Sequence, residues 1–260
     1  ILSYIVALLI LIMEVHHPHH HSGHQKKKWK EYLTEFVMLF AAVTLGFFAE
    51  NQREHYIEHL REQQYMQSLY EDLKKDTIEL NTLKRVYTKQ MKLIDTTINL
   101  FRMGEWNDVN LNKIYVLNLS TLGNRGLNLM ERTSVQLKNA GGMRLIKNSK
   151  ISDEIANYWH WQEYAKAYGA TTEELKLKAR ERSYNIFDQF YYNEINRDEI
   201  KTTKSGAQLM TYDKAVLTEY ANRLSHIKNS IKNQQLYQLD QIMGSAVVLL
   251  NDLKKEYAVR

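Results

Sequence analysis

Apolar side chains recur along this chain at spacings of three, four and seven, the period of a helix that buries one face. The longest such run shows no turn signal between Ala49 and Gly104. It carries Leu69, Leu73, Leu80, Leu83, Tyr87, Met91, Ile94, Ile98 and Phe101. Some 54 residues of helix extend about 80 Å, so an upstream helix is expected to continue as a stalk and join a bundle. The first part, NQREHYIEHLREQQYMQ, is strongly polar apart from Tyr56, Leu60 and Tyr65; it is expected to be solvated or thinly paired with another chain. The middle is shorter-grained. Asn107 or Asp108 caps a helix bearing Val109, Leu111, Ile114, Tyr115 and Leu117, which the loop STLGNRG breaks. Thr133 and Gln136 make a capping box for TSVQLKNA, which Gly141 and Gly142 end before MRLIK packs as a short turn. Ser152 is expected to cap a long helix from Ile155 to Phe190, with an irregularity at Gly169 to Thr172. Tyr212 and Asp213 open the last one, from Leu217 through Ile231 and Leu239 to Leu253. Three long helices and two or three short ones must each bury a face. An all-α antiparallel bundle is the simplest arrangement that does so.

One segment departs from this amphipathic pattern. From Tyr32 to Ala49 the chain reads YLTEFVMLFAAVTLGFFA, with Glu35 its only charge. Eighteen helical residues extend about 27 Å, close to the hydrocarbon thickness of a bilayer. Lys26, Lys27, Lys28 and Lys30 crowd one end with Trp29 and Tyr32 at interface depth, whereas Glu50, Arg53 and Glu54 open the other. A transmembrane helix over residues 32–49 is therefore expected. The positive-inside tendency places its N-terminal end in the cytoplasm. Residues 50–260 then form a helical bundle on the far side, the periplasm if the membrane is a bacterial inner membrane.

Residues 1–31 form a His- and Lys-rich cytoplasmic tail on this scheme. Residues 1–13, ILSYIVALLILIM, are apolar but too short to span. Met13 would be a natural start, so residues 1–12 are either an upstream extension or the tail of a truncated segment; a second span would leave the topology of the rest unchanged. The intervening HHPHHHSGH holds His16, His17, His19, His20, His21 and His24. Imidazole ligates Zn, Ni or Cu, but a run with no folded shell around it binds weakly. The alternative is a tail that gains charge as pH falls, and no cofactor is otherwise expected.

Composition agrees with long helices. The chain of 260 residues has one proline, Pro18, and no cysteine; proline disrupts helix interiors, and the lack of cysteine excludes disulfides and thiolate sites. The net charge of +5 is small against 35 basic and 30 acidic residues, which alternate along the helices. That is a solvated mixed-charge surface and not a nucleic-acid interface, which needs basic residues on one face.

Candidate chemistry is sparse. Glu35 is an intramembrane acid one turn inside the span, able to handle ions or protons, or to reach the interface and a lysine such as Lys28. Ala42 and Gly46 form a small-xxx-small pair through which two spans can pack. Tyr158, Trp159, His160, Trp161, Tyr164 and Tyr168 occupy more than one face of a helix, so those outside the core are a candidate ligand or partner surface. Gly141-Gly142 with Arg144 and Lys147 lacks any phosphate-loop spacing, and HExxH, GxSxG and GxGxxG are absent. His160 and His226 stand alone. No enzymatic activity is expected.

Two stretches, EYLTEFVMLFAAVTLGFFAENQRE at 31–54 and TSVQLKNAGGMRLIKNSKISDEIANYW at 133–159, resemble an uncharacterised family of bacterial single-pass membrane proteins. In that family a short basic tail and one span precede a helical extracytoplasmic domain. The resemblance covers nearly everything after Met13 and implies a topology without catalytic residues. The expected function is a membrane-anchored structural or interaction protein whose bundle docks a protein partner or forms a homo-oligomer. The alternatives are a ligand-sensing or transport-accessory subunit with a small molecule in the bundle, and an ion-conducting oligomer centred on Glu35.

Overall fold

The computed structural model describes residues 29–139, 141–194 and 206–259. They are helical throughout apart from loops and one isolated bridge, Phe187 with Leu209. The elements are α1 (Trp29–Met103), α2 (Asp108–Thr121), α3 (Arg132–Asn139), a 3-10 turn (Gly142–Leu145), α4 (Ser149–Ser183), α5 (Gln189–Glu194), α6 (Lys214–Ser230), a π turn (Ile231–Gln235) and α7 (Leu236–Tyr257). The protein is all-α, with a long N-terminal helix and a helix bundle. By its contacts the chain divides into one unit ending at His55 and another starting at Tyr56.

In the first unit α1 contains the only stretch, among the described residues, that is long and apolar enough to cross a membrane, and none of it is buried. Thr34 and Thr44 turn their hydroxyls back onto the carbonyls of Lys30 and Phe40 at 2.9 and 2.8 Å, which leaves no unmet donor on either side chain.

The second unit begins its core at Glu62 and Met66. Helix directions follow from the contacts. Tyr257 meets Glu62, Asp240 meets Lys84, and Lys228 meets Asp95, so α6 and α7 descend as α1 ascends. Tyr158 meets Asp76, while Lys176 and Gln90 share the Gly123 carbonyl, so α4 ascends with α1. Between them the chain must return. It does so through residues 104–148, where Thr121 faces Gln90, Met130 faces Asp76, Thr133 faces Asp72 and Lys147 faces Glu62. The result is an up-down-up-down bundle whose first descent is broken into α2, a loop, α3 and the 3-10 turn.

A broken strand of the bundle leaves backbone groups that a helix would satisfy internally. Side chains on α1 and α4 supply the missing partners. Glu62 accepts from the Lys147 amide at 2.9 Å, Asp76 from the Met130 amide at 2.8 Å, and Asp72 from the Thr133 hydroxyl at 2.5 Å and its amide at 3.4 Å. On the carbonyl side, Gln90 donates to Thr121 and Gly123, Lys176 to Gly123, Arg180 to Leu122, and the Tyr87 hydroxyl to Arg125. All three carboxylates are buried. Gly141 adopts a left-handed φ of 64°. A Cβ on Gly142 would meet Leu137 at 3.0 Å and its backbone at 3.1 Å, so the glycine pair lets the chain double back onto α3.

Several helix ends match the sequence. The Asn107 side chain accepts from the Asn110 amide, Asp213 accepts from Ala215 and Val216, and α1 stops where Gly104 takes φ 67°. Others differ. α3 starts before Thr133, whose hydroxyl is drawn to Asp72 instead of capping its own helix. α4 starts at Ser149 with Asn148 as cap, not at Ser152, and runs unbroken through Gly169 to Thr172. The irregularity lies instead in the last helix, where the Leu236 amide reaches back five residues to Ile231.

Candidate functional site

Two of the clefts between the helices lie beside the π turn. This turn adds one residue to a helical turn and re-aims the side chains that follow. Its seat on α4 is fixed by hydroxyls: Thr172 and Ser230 share a hydrogen bond at 2.7 Å, and Ser230 donates to Gln234 at 2.9 Å. A cleft lies on each side, and Gln238 borders both.

The first cleft is aromatic and open, with a volume of about 470 Å³. Trp161, Tyr164 and Tyr168 line it from α4, and Tyr237 faces them from α7. Their rings touch in series: Tyr164 lies 5.4 Å from Tyr168 and 6.2 Å from Trp161, which meets Tyr237 edge-on at 6.4 Å. His160 packs on Trp161 and Tyr164 at 5.5 and 5.4 Å. Tyr164 and Tyr237 remain 46% and 51% exposed, so these rings are not sealed into the core. Asn233 and Gln234 of the π turn complete the border with amides. The surface is apolar and hydrogen-bonding, with no acid, lysine or arginine among its lining residues. Such a lining suits recognition more than proton transfer.

Not every aromatic residue of this run lies there. Tyr158 and Trp159 are buried. Tyr158 donates to Asp76 at 2.7 Å, and Trp159 lies beneath the Lys138 ammonium at 4.5 Å. They belong to the core because their side of α4 faces the broken return segment. The candidate surface is thus carried by Trp161, Tyr164 and Tyr168, joined by Tyr237, which the sequence did not single out.

The second cleft is polar and smaller, about 230 Å³, enclosed by α1, the loop after α2, α4 and the start of α7. Gln235 and Gln238 reach it with 7% and 5% exposure, and neither side-chain carbonyl oxygen has a hydrogen-bond partner among the described residues. Lys176 lines it at 2% exposure with its ammonium on the Gly123 carbonyl at 3.0 Å. Burial holds that ammonium below its usual pKa, with the Arg180 charge acting in the same direction and Glu173 opposing. Burial, with the Glu173 charge, also pushes the Tyr87 phenol up to about 12. Sequence reasoning missed these residues. The available signal was polar residues at core spacing: Gln235 and Gln238 fall in register with Ile231, Leu239 and Ile242.

The other sequence candidates are dispersed. Ala42, Gly46 and Glu35 are exposed on α1 in the first unit, and a Cβ on Gly46 would meet nothing within 4 Å. His16, His17, His19, His20, His21 and His24, the candidate Zn, Ni or Cu ligands, lie outside the described residues. Among those described, no three His, Asp or Glu side chains are grouped to hold a metal ion. In comparisons with protein families, curated proteins and solved structures, nothing matches this chain.

Proposed function

We propose that this protein is a membrane-anchored interaction protein. Residues 32–49 cross the bilayer with their lysine-flanked end in the cytoplasm, and the bundle stands on the far side, the periplasm of a bacterial inner membrane. The resemblance carried by residues 31–54 and 133–159 favours the same arrangement. There the bundle docks a protein partner or a second copy of the chain through the α4 and α7 aromatic cleft. The observation that carries this function is the half-exposed, mutually contacting array of Trp161, Tyr164, Tyr168 and Tyr237. Aromatic side chains supply large contact area at low entropic cost and dominate interface energetics, and an open cleft favours a broad partner over an enclosed small molecule at this face.

A photo-crosslinking side chain placed in cells at Tyr164 or Tyr237 tests it, with exposed Ile78 as control. The expected result is an adduct of one defined mass from both cleft positions and none from Ile78. Twice the chain mass identifies self-association, and any other mass a distinct partner. No adduct from either cleft position, or the same adduct from Ile78, contradicts the proposal.

A further inference from the structure

The polar cleft on the inner side of the π turn has a composition that core packing does not explain. Buried side-chain acceptors without donors carry an uncompensated desolvation cost, yet two line this one cleft, on Gln235 and Gln238. Lys176 adds a buried ammonium whose only hydrogen bond among the described residues is to a carbonyl that Gln90 also serves, so the loop does not require it. The remaining charges on the lining are Arg125, paired with Glu79, Lys166, paired with Glu131, and Glu173. With those two cations paired, Lys176 and Glu173 are the lining charges without a salt bridge among the described residues. At about 230 Å³ the space exceeds several water molecules at ~30 Å³ each and suits a compound of amino-acid size. The π turn that places Gln235 is also a feature that recurs at functional sites.

We infer that this cleft binds a small carboxylate that also carries hydroxyl or amino donors, with the carboxylate on Lys176 and the donors on Gln235 and Gln238. The carboxylate supplies the direct ion-pair partner that the buried ammonium lacks among the described residues, where Glu173 acts on it only through its charge. The donors meet the two orphaned oxygens. A carboxylate without donors satisfies only Lys176, and a polyol without a carboxylate satisfies only the glutamines. The inference is independent of the docking proposal, since the aromatic cleft contributes none of these groups except Gln238.

The test uses the full chain in mild detergent and four probes: L-malate and L-serine, which combine both features, propionate, which has only the carboxylate, and glycerol, which has only hydroxyls. Calorimetry and thermal melting should show binding of malate or serine with at least a 2 °C rise in melting temperature, and at least tenfold weaker binding of propionate and glycerol. Lys176→Met and Gln238→Leu should each weaken malate or serine binding at least tenfold. Lys176→Met should melt no lower than the wild type, which separates lost binding from lost folding; if it melts lower, Gln238→Leu decides. The inference is overturned if neither malate nor serine binds the wild type, if propionate or glycerol binds as well as they do, or if a folded variant retains full affinity.

Discussion

Replacing Tyr158 with phenylalanine removes one oxygen from the centre of the bundle and should destabilise it in a pH-dependent way. The Tyr158 ring stays packed, so the apolar contribution is unchanged. The loss is the hydrogen bond to Asp76 at 2.7 Å, while the Met130 amide still donates to the other carboxylate oxygen at 2.8 Å. A hydrogen bond to a charged group contributes about 1.5–3 kcal/mol, equivalent to roughly 3–12 °C in melting temperature for a unit of this size. Burial raises the Asp76 pKa above its ordinary 3.8, with the Asp72 charge adding to it, and the Tyr158 and Met130 hydrogen bonds oppose the rise. A carboxyl whose folded pKa is raised contributes stability below its ordinary value and loses it as pH rises through the folded value. Removing the Tyr158 hydroxyl raises that folded pKa further. Tyr158→Phe should therefore cost the full amount at pH 8, where Asp76 is ionised, and about 0.5–1.5 kcal/mol, the range for a neutral hydrogen bond, as pH falls toward 4. Urea melts followed by helical circular dichroism across that range measure both. Equal cost at pH 8 and pH 4, or a cost below about 0.5 kcal/mol at pH 8, would show that the Tyr158 hydroxyl does not stabilise the Asp76 carboxylate. Asp76→Asn should abolish the pH dependence of the Tyr158→Phe effect.

Four further outcomes follow from contacts along the return segment. Lys176→Met should change stability by less than about 1 kcal/mol at pH 7, because Gln90 keeps the Gly123 carbonyl bonded and a buried ammonium is exchanged for an apolar chain of similar length; equilibrium unfolding measures it. Gln90→Met should cost about 1–3 kcal/mol in the same assay, since the buried Thr121 carbonyl loses its 2.7 Å donor. Gly142→Ala should cost about 1–3 kcal/mol through its clash with Leu137, and Gly141→Ala about 1–2 kcal/mol through its left-handed backbone; melting curves of the two variants measure both.

The long helices were legible because their apolar spacing is regular and no proline interrupts them, and the ends at Gly104, Asn107 and Asp213 because their chemistry is local. What escaped was decided by residues distant in sequence. Thr133 has the pattern of a cap, yet Asp72 lies 61 positions upstream and takes its hydroxyl. Glu62, Asp72 and Asp76 occupy core positions of α1, where periodicity counts apolar residues and passes over acids, although those acids hold the return segment in place. Gly169 suggested a break, but its surroundings are open, and a single glycine costs a packed helix only about 1 kcal/mol. The actual irregularity, IKNQQ at 231–235, contains no glycine or proline and gives no local signal. At the candidate site, aromatic crowding on α4 pointed to Trp161, Tyr164 and Tyr168. It could not separate them from Tyr158 and Trp159, because that distinction depends on which side of α4 the broken segment covers.

Sidedness is tested most directly by cysteine labelling, and the chain carries no native cysteine to remove. Single substitutions at Lys30, before the span, and at Glu163, exposed on α4, would be treated in spheroplasts with a maleimide that cannot cross membranes. Labelling of Glu163→Cys is expected in intact spheroplasts, and of Lys30→Cys only after lysis. Labelling of Lys30→Cys alone before lysis, or recovery of the chain in the soluble fraction without detergent, would contradict this topology.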